Sequence, residues 1–200
     1  MDKKFNELLM ELHKILKPLG YRKEGANYRL FLSDGLCRII NLQKNRYNSK
    51  DKCEFVINIG VYFEKADVIE KRKFKEYDCQ IRKRLDREEE EWWRLDSETE
   101  IGEILQDLEE TLREIDEWFS LFPSKESVIR SILDGTAEQY STCSVLHFYT
   151  AKMLAEMGFS AEVYQRIKDV KVRHPQATML IELAEKLRVL RNSTSDLCDC

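Results

Sequence analysis

Asn41, Gln43 and Asn58, Arg82 and Arg84, and Tyr62 and Trp93 fall where the pleat of a β-sheet would gather them. A carboxamide brings two donors and an acceptor, and a guanidinium brings a rigid fork of donors. Side chains of this kind recognise planar or anionic groups and need no covalent step to do so. The chemistry expected of them is binding.

The expectation rests on alternation. In "CEFVINIGVYF", Cys53 to Phe63, successive side chains take opposite faces. Phe55, Ile57, Ile59, Val61 and Phe63 share a core face, while Val56, Asn58, Gly60 and Tyr62 share the other. In "LCRIINLQKNRY", residues 36–47, Asn41 and Gln43 fall on one face with Cys37 and Ile39. A further run over residues 78–85 alternates Gln80, Arg82 and Arg84 against Ile81 and Leu85. Half-polar faces are ordinary where one side of an antiparallel sheet meets water. A plain wet face favours Thr, Lys and Glu, however, and Asn is disfavoured in strands. A solvated face and a binding surface both stay open. Gly60 either opens room beside Asn58 or marks a bulge. Trp93, just past the fourth strand, is expected to wall the patch.

Reaction chemistry has less to stand on. An enzyme needs a nucleophile, an acid–base pair or a metal. His13, His147 and His174 are isolated in sequence, and no GxSxG, HExxH or phosphate-loop pattern occurs. The six cysteines, 37, 53, 79, 143, 198 and 200, form no paired CxxC motif. No catalytic residue, metal site or cofactor is expected. The acidic run "DREEEE", 86–91, reads as a solvated loop or a helix start.

These residues need elements to position them. Phe5, Leu8, Leu9, Leu12, Ile15 and Leu16 predict a helix that Pro18 and Gly20 end. Strands are expected over 27–33, 36–47, 53–63 and 78–85, with "DG" at 34 and 35 as a hairpin signal. Short connections favour an antiparallel meander. Ile101, Leu105, Leu108, Leu112, Ile115 and Phe119 form an apolar seam on a long helix. The last third reads as helices, with breaks at Gly135, Gly158 and Pro175. The fold class expected is α+β, with a four-stranded antiparallel meander. The N-terminal helix and the long amphipathic helix pack on one face, and an all-helical segment follows. The divisions expected are 1–122, 123–191 and a frayed tail, 192–200.

The 33 basic residues against 37 acidic ones give a net charge of −4, which disfavours a nucleic-acid binder. The N-terminus has no hydrophobic leader region and no apolar run is long enough for a membrane, so a cytoplasmic protein with reduced cysteines is expected.

"LKPLGYRKEG" (16–25), "INLQKNRY" (40–47), "FVINIGVYF" (55–63), "CQIRKRL" (79–85) and "WW" (92–93) also carry a family likeness. The chain resembles the bacterial family catalogued as domain of unknown function 4304. The resemblance implies an α+β fold and brings no established activity. Gln43, Asn58, Gly60, Arg84 and Trp93 are the positions that match its signature. The function expected is a non-catalytic protein-interaction module on the polar sheet face, with another protein as partner. By analogy, a toxin-neutralising immunity protein is one version, its acidic run meeting a basic surface. The alternative is a ligand or nucleotide-phosphate sensor using Arg82 and Arg84.

Overall fold

Apolar residues at helical spacing close into α1, Asp2–Leu16, which buries Phe5, Leu8, Leu9, Leu12 and Leu16. The computed structural model describes residues 2–71, 73–85, 92–169 and 176–195. The chain divides into two compact units, Met1–Lys125 and Glu126–Cys200.

The first unit is built on an antiparallel sheet: β1 (Arg22–Glu24), β2 (Asn27–Phe31), β3 (Leu36–Lys44), β4 (Cys53–Phe63), β5 (Ile81–Leu85) and β6 (Trp93–Leu95). The first five lie in sequence order as a meander. The expected α+β class and meander are therefore present, with two three-residue strands added. β6 shares an edge of β4 with β5: Leu85 pairs with Ile57, and Trp93 pairs with Phe55. The acidic run 86–91 lies outside the described residues, but the strands on either side return to almost the same place on β4.

One sheet face carries Tyr28, Ile40, Phe55, Ile57 and Ile59, all buried. α1 packs there: the Tyr28 hydroxyl donates to the Leu9 carbonyl at 2.6 Å, and the Phe5 and Phe55 rings lie 5.5 Å apart. α2, Ile101–Ser120, covers the same face, where Arg38 Nη2 donates to the Phe119 carbonyl at 3.1 Å. Leu108, Ile115 and Phe119 of the expected seam are buried, joined by Ile104 and Trp118.

The opposite face is half covered. Residues 64–71 and 73–80 lie over it, burying Ile69 and Phe74 against Cys37, Ile39, Tyr62 and Cys79. Glu64 anchors the start of this segment, accepting from the Tyr62 hydroxyl and from the Glu70 and Lys71 amides. Lys125 holds the same stretch. Its ammonium is buried and donates to the carbonyls of Lys65 and Ala66 and to Asp67 Oδ1, at 3.0–3.2 Å.

The second unit, from Glu126 on, is helical: α3 (Lys125–Asp134, whose first residue belongs to the first unit), α4 (Phe148–Leu154), α5 (Ser160–Asp169) and α6 (Gln176–Ser195). Its core includes Ile132, Ala151, Leu154, Val163, Leu180 and Leu187. Gly158, at φ 104°, supplies the left-handed residue that turns the chain between α4 and α5. α4 begins at Phe148, and α6 runs on to Ser195, past the boundary drawn at 191. No Gly or Pro stands between Ala177 and Ser195 to stop it.

Candidate functional site

Register brings the sheet's polar residues together. Asn27 pairs with Asn41, Asn41 with Asn58, and Asn58 with Arg84, so four strands present these side chains in one row on one face. They hydrogen bond along the row. Asn41 Nδ2 donates to Asn27 Oδ1 at 2.9 Å, and Asn58 Nδ2 donates to Asn41 Oδ1 at 3.3 Å. Asn58 Nδ2 also donates to Gln43 Oε1 at 2.9 Å. Arg84 closes the row, with Nε donating to Asn58 Oδ1 and Nη2 to Gln43 Oε1, both at 3.3 Å. At the other end Asn27 Nδ2 donates to the Glu24 carbonyl at 3.4 Å.

The direction of the row follows from Arg84. A guanidinium only donates, so it meets oxygens and never amide nitrogens. The Asn58 and Gln43 oxygens must face it, which turns Asn58 Nδ2 towards Asn41 and so on down the row. Gln43 Oε1 takes two donors, and its own amide nitrogen points away from them. Burial grades along the same line. Asn27, Asn41 and Asn58 are 5%, 9% and 7% exposed, whereas Gln43 and Arg84 are exposed.

Of the residues singled out in the sequence, Asn41, Gln43, Asn58 and Arg84 are therefore joined directly. Arg82 lies opposite Gly60 on the same face, half-buried. Tyr62 shares that face but sits in the apolar half, its ring stacked on Phe74 at 4.0 Å. Trp93 does not wall the patch. It pairs with Phe55 and stacks on that ring at 5.9 Å, on the helix-covered face. The reason is parity: Phe55 and Asn58 are three residues apart and point to opposite sides.

Two residues not singled out belong to the arrangement. Asn27 starts the row, and Arg29, 3% exposed, stands beside it. Arg29 Nη1 donates to Glu24 Oε2 at 3.1 Å, Nη2 donates to the Phe74 carbonyl, and the guanidinium lies over the Phe74 ring. The "DG" hairpin held the signal: once it sets Phe31 opposite Cys37, alternation puts Asn27 and Arg29 on the Asn41 face. Gly60 is resolved too. A Cβ there would lie 2.8 Å from both Cβ and Sγ of Cys79, so the glycine admits that side chain onto the sheet.

The titratable groups nearby are poor nucleophiles. Burial pushes the Cys37 thiol up to about 12, and raises Cys79 and Cys53 as well. Such thiols stay protonated at neutral pH. Among the described residues no cluster of His, Cys, Asp and Glu could hold a metal ion, and no helix is long and apolar enough to cross a membrane. His174 lies outside those residues. Two open cavities of about 780 Å³ each lie elsewhere: one lined by Lys3, Lys44, Lys50 and Asn48, the other by Leu19, Tyr21, Leu112 and Phe119.

A family model described as "Domain of unknown function (DUF4304)" matches residues 12–134. A search of curated proteins found no match, and neither did a search of solved structures. The matched span contains the whole sheet and every residue of the row.

Proposed function

The chain belongs to the DUF4304 family, and on the sheet that this family covers we propose a non-catalytic protein-interaction module whose contact surface is centred on Gln43, Asn58 and Arg84. The observation that carries this reading is the graded burial of the row: three buried carboxamides stand behind two exposed side chains and hold them in place.

Stability alone gives a weak reason for such a row. A buried amide left unpaired costs about 1–3 kcal/mol, whereas apolar side chains of the same shape in place of a bonded pair are nearly neutral. What the row does supply is position. Arg84 and Gln43 have long side chains that lose conformational freedom on binding, about 0.5–1.5 kcal/mol each. Anchoring them beforehand removes part of that loss. The buried, protonated thiols of Cys37 and Cys79 favour binding over nucleophilic chemistry on this face.

Affinity capture from a native extract tests the reading, with wild-type and Arg84→Ala proteins of matched thermal stability as baits. A protein retained by the wild type and lost with Arg84→Ala supports it. Equal capture by both baits removes this face from the interaction.

A further inference from the structure

The sheet face under α1 and α2 is not sealed along its whole length. An open groove of about 780 Å³ runs between the end of α1, the turn Lys17–Leu19 and α2, and every residue lining it belongs to the first unit. Its walls are mostly apolar. Leu16, Ile40 and Phe119 are buried, Leu30 and Leu112 are half-buried, and Leu19 is 63% exposed. Leu112 belongs to the apolar seam of α2, yet α1 and the sheet leave it partly uncovered. An apolar concavity of this size is in the range of clefts that take a ligand or a partner's side chains, about 300–1,000 Å³.

The α2 side of the groove is acidic. Glu109, Asp116 and Glu117 line it and are exposed, and none of them forms an ion pair among the described residues. α2 as a whole carries seven acidic residues against one basic residue, Arg113, a net charge of −6. The full chain carries only −4, so the rest of it is on balance positive and the negative charge is concentrated on this helix. Arg38, the other cation of the lining, is half-buried, donates from Nη2 to the Phe119 carbonyl and lies over that ring.

We propose that this groove docks a basic amphipathic helix of a partner protein. The apolar floor takes the helix's apolar stripe, and Glu109, Asp116 and Glu117 meet Lys or Arg on its flank. A helix fits better than a strand. The strand residues behind the groove lie in β2 and β3, inside the sheet and not at its edge, so they offer an incoming strand no ladder. A helix brings its backbone hydrogen bonds already made. A second copy of this chain would set its own acidic α2 near this one, and the like charges oppose it. Ile40 and Asn41 are successive residues of β3, so the groove and the carboxamide row lie on opposite faces. The proposal is thus independent of the reading given for the row.

The test follows the methyl resonances of Leu19, Leu30 and Leu112 in the full chain. The probe is a synthetic helix of about five turns, built from Leu and Lys with leucine at i, i+3, i+4 and i+7. Its controls are a Leu/Glu counterpart, a Leu/Lys peptide of the same composition with no leucine stripe, and 1-octanol. The Leu/Lys helix is expected to shift all three methyls, and each control to shift them far less. Glu109→Lys/Asp116→Lys changes two exposed positions, so the fold is kept, as a matched melting temperature would verify. Its affinity for the Leu/Lys helix is expected to fall at least about tenfold.

Unshifted methyls overturn the proposal, and so does unchanged affinity in Glu109→Lys/Asp116→Lys. An equal shift with the Leu/Glu helix shows apolar adhesion without charge recognition, and an equal shift with the stripeless peptide shows charge without the helix. Either result overturns it. A shift as large with 1-octanol assigns the groove to a small apolar ligand. Shifts that grow with protein concentration alone, matched by a dimer in sedimentation, assign it to a second copy. Both of those outcomes also overturn the basic helix.

Discussion

The Nε of Arg84 lies 3.3 Å from Asn58 Oδ1, and this contact sets the orientation of a row of carboxamides that crosses the sheet to β2. A donor-only group at one end leaves each amide one way to point. The consequence reaches the surface, because Gln43 is turned by the same guanidinium.

Removing Arg84 should therefore loosen orientation more than stability. Arg84 is exposed, and exposed side chains contribute little to folding. In Arg84→Ala the unfolding free energy is expected within about 0.5 kcal/mol of wild type. The side-chain N–H2 resonances of Asn58 and Gln43 should broaden or shift. Sharp, unmoved amide resonances would show that the row orients itself without the arginine.

Asn58→Ala should behave in the opposite way. It leaves Asn41 Oδ1 without its donor inside the sheet, and Arg84 without one acceptor. Urea unfolding is expected to show a loss of about 1–3 kcal/mol. The double variant Asn41→Leu/Asn58→Leu should lose less than the two single changes added together, because no orphaned amide remains between them. Strict additivity would mean that the two side chains are not coupled.

Gly60→Ala places a methyl group 2.8 Å from Cβ and Sγ of Cys79. Overpacking of this kind costs about 1–3 kcal/mol. Removing the sulfur in Cys79→Ala relieves part of the clash, so the double variant should be more stable than the sum of the singles predicts. A Gly60→Ala protein as stable as wild type would show that β5 shifts away freely.

The buried thiols set an alkaline limit. The unfolded chain releases cysteine protons near about pH 8.5, whereas Cys37 in the fold holds its proton to about 12. Between those values the unfolded state binds fewer protons, so stability falls as pH rises. Burial of Tyr21 and Tyr28 raises their hydroxyls and acts in the same sense. Urea midpoints should be level up to about pH 8.5 and drop steadily towards pH 11, as these groups titrate in the unfolded chain. A midpoint that rises across that interval would contradict the burial of these groups.

Much of the sheet was legible because long strands repeat their alternation. Cys53–Phe63 has eleven residues in which to declare its two faces, and β3 has nine. The strands at Arg22–Glu24 and Trp93–Leu95 have three residues each, too few to carry a period. Trp93 was misplaced for a related reason. Residues 86–92 separate it from β5, and no pattern in the sequence carries the alternation of β5 across them. The cover formed by Ile69 and Phe74 was unreadable because two apolar residues five apart match neither a helix nor a strand. Asn58 was visible as an oddity, but the row behind it needed the register of three other strands. In α2 the seam was found in outline, and Ile104 with Trp118 completed it once the helix lay against the sheet.

The central claim is that the exposed end of the row is where another protein docks. The most direct test is calorimetric titration of the captured partner into four proteins: wild type, Gln43→Ala, Arg84→Ala and a distant surface variant, Lys152→Ala. The account predicts at least about tenfold weaker binding for Gln43→Ala and Arg84→Ala, with Lys152→Ala unchanged. Binding within about twofold of wild type for both sheet variants, with folding intact, would contradict it.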